Sequence, residues 1–222
     1  GLVFQLSYTY SKTLDFGCDG NFSGCDVQDP NHWQDNYGVA TFDQTHNLTA
    51  SWVWPLPFGS GKRWFSDNGV FSKVAGGWQL NGIGVVTSGV PYDVTASSDI
   101  PSPGGGFGER ANLVGNPYAG TSPLQPINPA AFANPTIYTF GNLGRNALRG
   151  PAYSNLDLSL FREFPLPFRE GTKLQFRLES FNVLNEVVFG LPDSFTGDPT
   201  FGQVHSIQNS PRQLQLALKL YF

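Results

Sequence analysis

The residues from Pro211 to Phe222 restrict the possible folds more than any other stretch. Leu214, Leu216, Leu218, Leu220 and Phe222 fall on one face of an extended strand; Gln213, Gln215, Lys219 and Tyr221 fall on the other, with small Ala217 among them. Successive side chains of a strand point to opposite faces, so one face is apolar and the other polar. In water a bare apolar strand needs a covering layer, and none follows this one. In a bilayer the same strand is complete: its outer face meets lipid and its inner face meets water. The pattern predicts a strand of a transmembrane β-barrel.

Composition agrees with that reading. Charged residues make up 14% of the 222 residues, against roughly 25% in ordinary soluble domains. No uninterrupted apolar run approaches the ~20 residues that a helix needs to cross a bilayer. Alternating strands hide their hydrophobicity from averages, which suits a mean hydropathy of -0.21. The 26 Gly, 17 Pro and 19 Phe fit strands, turns and aromatic girdles. A net charge of -4 gives no electrostatic case for nucleic acid. The first residue is Gly, there is no Met, and no signal peptide is visible. The chain is therefore expected to be the C-terminal piece of a longer exported protein.

Alternation predicts six long strands. The first runs from Leu2 to Lys12, with Leu2, Phe4, Leu6, Tyr8 and Tyr10 on one face. A second places Leu48, Ala50, Trp52 and Trp54 opposite Asn47, Thr49, Ser51 and Val53. The third, from about Gly77 to Ser97, is less cleanly patterned and contains Gly82, Gly84 and Gly89. A fourth sets Leu156, Leu158 and Leu160 against Asp157, Ser159 and Phe161, and a fifth sets Leu174, Phe176 and Leu178 against Gln175, Arg177 and Glu179. The terminal strand is the sixth.

Two near-repeats separate these strands: Trp54-Pro-Leu-Pro-Phe-Gly-Ser-Gly-Lys62 and Phe164-Pro-Leu-Pro-Phe-Arg-Glu-Gly-Thr-Lys173. Proline cannot donate to a ladder, so paired prolines end a strand. Both are read as turns of one kind on one side of the sheet. Long loops, roughly 13–43, 98–152 and 189–209, occupy the other side. Transmembrane barrels have this asymmetry, with short periplasmic turns and long extracellular loops. The parity then puts Phe222 at the periplasmic face. Trp54, Phe58, Trp64, Phe65, Phe164, Phe168, Tyr221 and Phe222 gather at that level, where amphipathic rings favour the headgroup zone. The competing reading makes them core aromatics of a soluble β-sandwich.

Several phrases also resemble a known family. Gly77-Trp-Gln-Leu-Asn-Gly82 with Thr87-Ser-Gly-Val-Pro-Tyr92 resembles the GWxLxG…SGxPF strand of TonB-dependent receptors. Gly141-Asn-Leu-Gly-Arg-Asn-Ala-Leu-Arg-Gly-Pro151 followed by Asn155-Leu-Asp-Leu-Ser-Leu160 is similar to their GNxGRNxxRGP…xxDxSL segment. Gln175-Phe-Arg-Leu-Glu-Ser-Phe-Asn-Val-Leu-Asn185 is similar to their FRxExFNxxN strand, and Phe201-Gly-Gln-Val with Pro211–Phe222 resembles their final hairpin. The closest likeness is to the Oar-like receptors that carry a carboxypeptidase-regulatory-like domain.

The resemblance implies a barrel of about 22 strands around an N-terminal plug, of which this chain supplies the last six. Plug, TonB box and earlier strands would lie outside residues 1–222. The fragment alone is expected to form an open, curved, antiparallel sheet with two unpaired edges. The resemblance also makes Leu214, Leu216, Leu218, Leu220 and Phe222 a C-terminal signal read by the barrel-assembly machinery. The remaining implied partners are outer-membrane lipid, TonB through the N-terminal part, and a small ligand at the extracellular loops.

Candidate sites are few. Cys18 and Cys25 lie in the first long loop, where an oxidising exterior favours a loop-stapling disulfide. A metal pair is the alternative, without a His at ligand spacing. The same loop carries Asp15, Asp19, Asp26, Asp29, Asp35 and Asp43. A solvated acidic loop is expected, with calcium binding as the rival, since carboxylates suit hard cations but EF-hand spacing is missing. Asp157, Gln175, Arg177, Glu179, Gln215 and Lys219 form an expected polar ladder on the lumen face, structural or in contact with the plug. His32, His46 and His205 stand far apart with no nucleophile motif beside them, so no catalytic residue and no cofactor is expected.

The reading that follows is part of a TonB-dependent outer-membrane receptor importing a siderophore or an oligosaccharide. A passive porin or structural barrel is the first rival. A soluble β-sandwich adhesin or carbohydrate-binding module is the second.

Overall fold

Alternating apolar and polar residues form six long strands in a computed structural model that describes residues 1–17, 27–29, 31–65, 69–97, 103, 109–167 and 170–222. The strands are β1 (Val3–Tyr10), β2 (His46–Pro55), β3 (Trp78–Thr87), β4 (Tyr153–Pro165), β5 (Lys173–Phe181) and β6 (Gln213–Tyr221). Each pairs antiparallel with its neighbour in sequence, giving one sheet in the order β1-β2-β3-β4-β5-β6. β1 and β6 are its two edges, so the sheet is open. No described helix is long and apolar enough to cross a membrane, which says nothing of strands.

Register determines what each face presents. One cross-strand row joins Trp54, Leu80, Leu160, Leu178 and Leu216, and the next joins Phe4, Trp52, Gly82, Leu158, Ser180 and Leu214. These rows belong to one nearly continuous apolar face. The opposite face carries Val3, Val53, Asn81, Ser159, Glu179 and Gln215 in a single row. A one-residue slip of any strand would send its leucines to the polar face. Gly82 is required within the apolar face: the Trp52 ring lies across it, and a Cβ there would sit 2.1 Å from that ring.

Among the described residues no second layer covers the body of the apolar face. Leu216 is 69% exposed, and none of the buried apolar residues among those described belongs to any of the six strands. In water, burying a single leucine is worth about 1.5–3 kcal/mol, so a bare face of this kind needs lipid against it.

The structure differs from the sequence reading at three places. The third strand ends at Thr87, not near Ser97. Beyond it Ser88 N–H donates to His46 O at 2.9 Å, and Pro91–Tyr92 leaves to pair with Leu148–Arg149. The first strand, Val3–Tyr10, is shorter than Leu2–Lys12, with one further bond in the same register from Ser11 N–H to Thr45 O at 3.0 Å. The two Pro-Leu-Pro-Phe phrases end their strands alike but do not build the same turn. After Pro165 the chain closes tightly, with Leu166 N–H donating to Thr172 O at 2.9 Å. After Pro55 it passes through a Phe58–Trp64 bridge into a short helix, α1 (Val70–Ala75), before β3 begins. Phe168 lies outside the described residues.

Candidate functional site

All three long connections, 11–45, 88–152 and 182–212, leave the same end of the sheet. The second of them holds the only hydrophobic core among the described residues, Tyr92, Val94, Ala111, Ile127, Ala131, Phe132, Leu143 and Leu148, with its own Leu113 and, from the third connection, Phe201 packed against it. Phe132 and Phe201 meet edge to face at 5.7 Å. Two-residue ladders tie the loops locally, Leu14–Asp15 to Gly38–Val39 and Asn112–Leu113 to Phe132–Ala133. The described parts of these loops therefore form a cap on the sheet.

The Gly141–Pro151 phrase is the clamp of that cap. Gly141 lies so close to the backbone of Arg110 that a Cβ would fall 1.8 Å from its carbonyl oxygen. Its own carbonyl accepts from Gln28 Nε2 at 2.9 Å. The Asn142 carboxamide accepts from Leu113 N–H at 2.7 Å. Arg145 pairs with Asp15, and Asn146, at φ +52°, donates its backbone N–H to the Asp93 carboxylate and its side-chain amide to Val39 O at 2.6 Å. Arg149 reaches Asp43 at 2.5 Å and Gly89 O at 3.2 Å. One phrase of the second loop thus grips the first loop at four places.

Arg110 locks the same joint from the other side. It is 4% exposed, yet every arm has a partner: Nε donates to Leu143 O at 2.7 Å, Nη1 to Asn36 Oδ1 at 3.0 Å and Nη2 to Asp35 O at 2.9 Å. Its backbone N–H donates to Gln28 Oε1 at 3.0 Å. Buried polar groups are tolerated where each finds a partner. The third loop joins through Thr95 N–H to Ser194 O at 2.9 Å and Val204 N–H to Leu124 O at 2.9 Å.

The expectation of a solvated acidic loop is corrected here. Asp43 is 1% exposed and accepts from Thr13 N–H, Thr45 Oγ1 and Arg149, while Asp29 is nearly buried against His32 at 2.6 Å. Asp15 pairs with Arg145. Asp43 and Asp15 tie the first loop to the second, Asp29 bonds locally to Asn31 N–H and His32, and Asp35 stays exposed. Cys18, Cys25, Asp19 and Asp26 lie outside the described residues.

Burial raises the Asp43 pKa, but the bonds from Thr13, Arg149 and Thr45 outweigh it and leave the carboxyl below its ordinary value. Asp93 is pushed up by burial, against the opposing pull of Asn146 N–H, Arg110 and Arg145. Burial raises Glu109 as well. The signs are opposite in effect. On acidification from neutrality, protonating Asp93 and Glu109 first favours the folded cap. Below the ordinary Asp value of about 3.9, protonation of Asp43 removes its contribution. Near-UV circular dichroism melts against pH are expected to show the cap most stable in mild acid and loosening below about pH 4.

The polar face of the sheet carries the second part of the site. The Asp157 carboxylate accepts from Asn155 Nδ2 at 2.9 Å and Asn182 N–H at 2.8 Å, anchoring the start of the third loop. Arg177 reaches Glu179 at 3.4 Å and lies over the Phe161 ring at 5.4 Å. Gln175 donates to Glu163 at 3.0 Å, and Lys173 pairs with Glu163 at 2.8 Å. Gln215 stands opposite Glu179 and Lys219 opposite Gln175 in the ladder. These groups share a face, but Asp157 is bonded to the loop and not to Arg177.

A cleft of about 280 Å³ opens where this face meets the cap, lined by Tyr153, Asn155, Asp157, Phe181, Asn182 and Asn209 among others. A groove of about 260 Å³ continues down the face past Asn81, Ser159, Arg177 and Glu179. Polar and aromatic groups converging on a cleft of this size can hold a small polar ligand. Sequence reading identified the ladder but missed Arg110 and the clamp, because no local spacing links position 28 to 110 or 43 to 149. The exposed loop aromatics Trp33, Tyr37, Tyr118 and Tyr138 lie in the cap's connections, and Tyr37 stacks obliquely on Phe16 at 5.1 Å.

Among known protein families, a model described as an outer membrane beta barrel domain matches residues 1–215. No curated protein and no solved structure gives a significant match.

Proposed function

We propose a receptor function for this chain, which belongs to the outer membrane beta barrel domain family and so resides in the bacterial outer membrane. In this reading it is the C-terminal part of the barrel of a TonB-dependent receptor that takes up a scarce nutrient of the siderophore or oligosaccharide class. The observation that carries the reading is the clamped cap. A hydrophobic core in the second loop, with Phe201 of the third packed on it and the buried Arg110 bonded to the first, forms a fixed surface above a polar cleft. A passive pore gains nothing from such a platform, whereas ligand capture needs preorganised groups.

The loop end then faces outward and the turn end faces the periplasm, as in barrels generally. The apolar face meets outer-membrane lipid, and β6 carries the signal for the assembly machinery. Ligand enters from the cap, and TonB acts through a plug outside residues 1–222. The Arg177–Glu179 ladder lines the interior. No residue is assigned a catalytic role.

The test is uptake of radio-iron siderophores and of labelled malto-oligosaccharides by cells that make the intact protein, with TonB present or deleted. Uptake of at least one probe is expected to collapse without TonB. Uptake that persists unchanged would assign the protein to passive diffusion.

A further inference from the structure

The described parts of the connection between β2 and β3, 56–65 and 69–77, fold toward the lipid side of the sheet. Arg162 stands on the apolar face, paired with Trp78 across β3 and β4. Its guanidinium donates to Val74 O at 2.6 Å and Lys73 O at 2.5 Å, and the Trp78 indole donates to Val74 O at 3.0 Å. The C-terminal carbonyls of α1 are therefore held against the lipid-facing wall. Arg162 also lies over the Phe164 ring at 4.6 Å. Gly59 lies against Ser72 and Gly76, which brings the 58–64 segment alongside the helix.

What this arrangement exposes is amphipathic. Val70 and Val74, one helical turn apart, are 80% and 63% exposed. Trp64 and Phe65 are about half exposed. Lys62, Arg63 and Lys73 are exposed beside them, and Arg63 lies 5.6 Å from the Trp64 ring. Valines standing in water on a short helix are unexplained in a soluble setting. At the rim of a lipid-facing wall they continue that wall into the headgroup zone, with basic groups at phosphate level.

We propose that α1 and the Gly59–Phe65 segment form an interfacial anchor that binds an anionic phospholipid of the leaflet at the turn end. Val70 and Val74 enter the acyl boundary, while Lys62, Arg63 and Lys73 hold the headgroup phosphate. The proposal rests on the outer-membrane placement of the sheet and does not depend on TonB or on any transported ligand. Each basic residue near an anionic membrane surface contributes about a five-fold gain in binding.

The experiment is lipid retention by the intact protein in mixed phosphatidylglycerol and phosphatidylcholine bilayers, read by mass spectrometry after mild detergent extraction. The wild-type protein is expected to retain phosphatidylglycerol at several times its share of the bilayer. The R63A/K73A variant is expected to lose most of that enrichment while still migrating as a folded barrel on unboiled gels. V70S/V74S is expected to shorten retention of both lipids. Equal retention of the two lipids by the wild type, or unchanged enrichment in folded R63A/K73A, would overturn the proposal.

Discussion

Replacing Arg110 with alanine is expected to unravel the loop cap while leaving the sheet standing. The guanidinium is enclosed and bonded to Leu143 O, Asn36 Oδ1 and Asp35 O. Its removal leaves these three acceptors without their donor beside the core, together with the volume of a long side chain. Each buried acceptor left unpaired costs about 1–3 kcal/mol. Lysine is not expected to rescue, since a single ammonium cannot reproduce the planar fork that serves three directions. The strands share no buried apolar residue with the cap, so their ladders do not depend on Arg110. Limited proteolysis is the measurement: new cleavage within 109–152 and in the first loop, with a folded barrel still shifting on unboiled gels. A cap that stays protected in R110A would refute the clamp.

The sheet was legible because period-two alternation is a local signal, and a strand that faces lipid must declare its apolar side without help from other segments. Leu214 to Phe222 carry that information in themselves, and the parity of loops and turns then orients every strand. β3 was harder, since Gly82 and Gly84 replace the expected large residues on the apolar face. Only the structure shows the Trp52 ring filling the space above Gly82. The cap was not legible. Its decisive contacts join Gln28 to Arg110 and Asp43 to Arg149, 82 and 106 residues apart. Loop composition signals only turns and polarity, and the same Asp residues suit a solvated loop, a cation site or buried ion pairs. The helix after Pro57 escaped for a related reason: its Pro-Leu-Pro-Phe phrase duplicates the one at Pro165, but the six residues of α1 are too few for a periodic signal.

The resemblance-bearing motifs gain a physical meaning from this division. Asn142, Arg145, Asn146 and Arg149 are all engaged with other segments of the cap, and Asn182 is 4% exposed, with its side chain bonded to Glu186 and Ser210. The fixed polar residues of these phrases build the platform. The exposed positions around them remain available for ligand contacts, which is how one scaffold can present different surfaces.

Leu160→Arg and Ser159→Arg are expected to differ sharply, although they change adjacent residues. Leu160 stands on the apolar face between Leu80 and Leu178, near the middle of β4. A charged side chain at the midplane of a barrel's lipid face costs about 2–4 kcal/mol. Ser159 stands on the opposite face between Asn81 and Glu179. There an arginine meets a polar lining and a carboxylate, so its cost is expected to stay below about 0.5 kcal/mol. Denaturant unfolding of the intact protein from lipid vesicles measures both. A large fall in the midpoint for L160R with little change for S159R puts an apolar environment on the leucine face and water on the other. Equal costs would overturn the face assignment. The experiment therefore tests the face assignment itself, on which the cap, the cleft and the interfacial helix all depend.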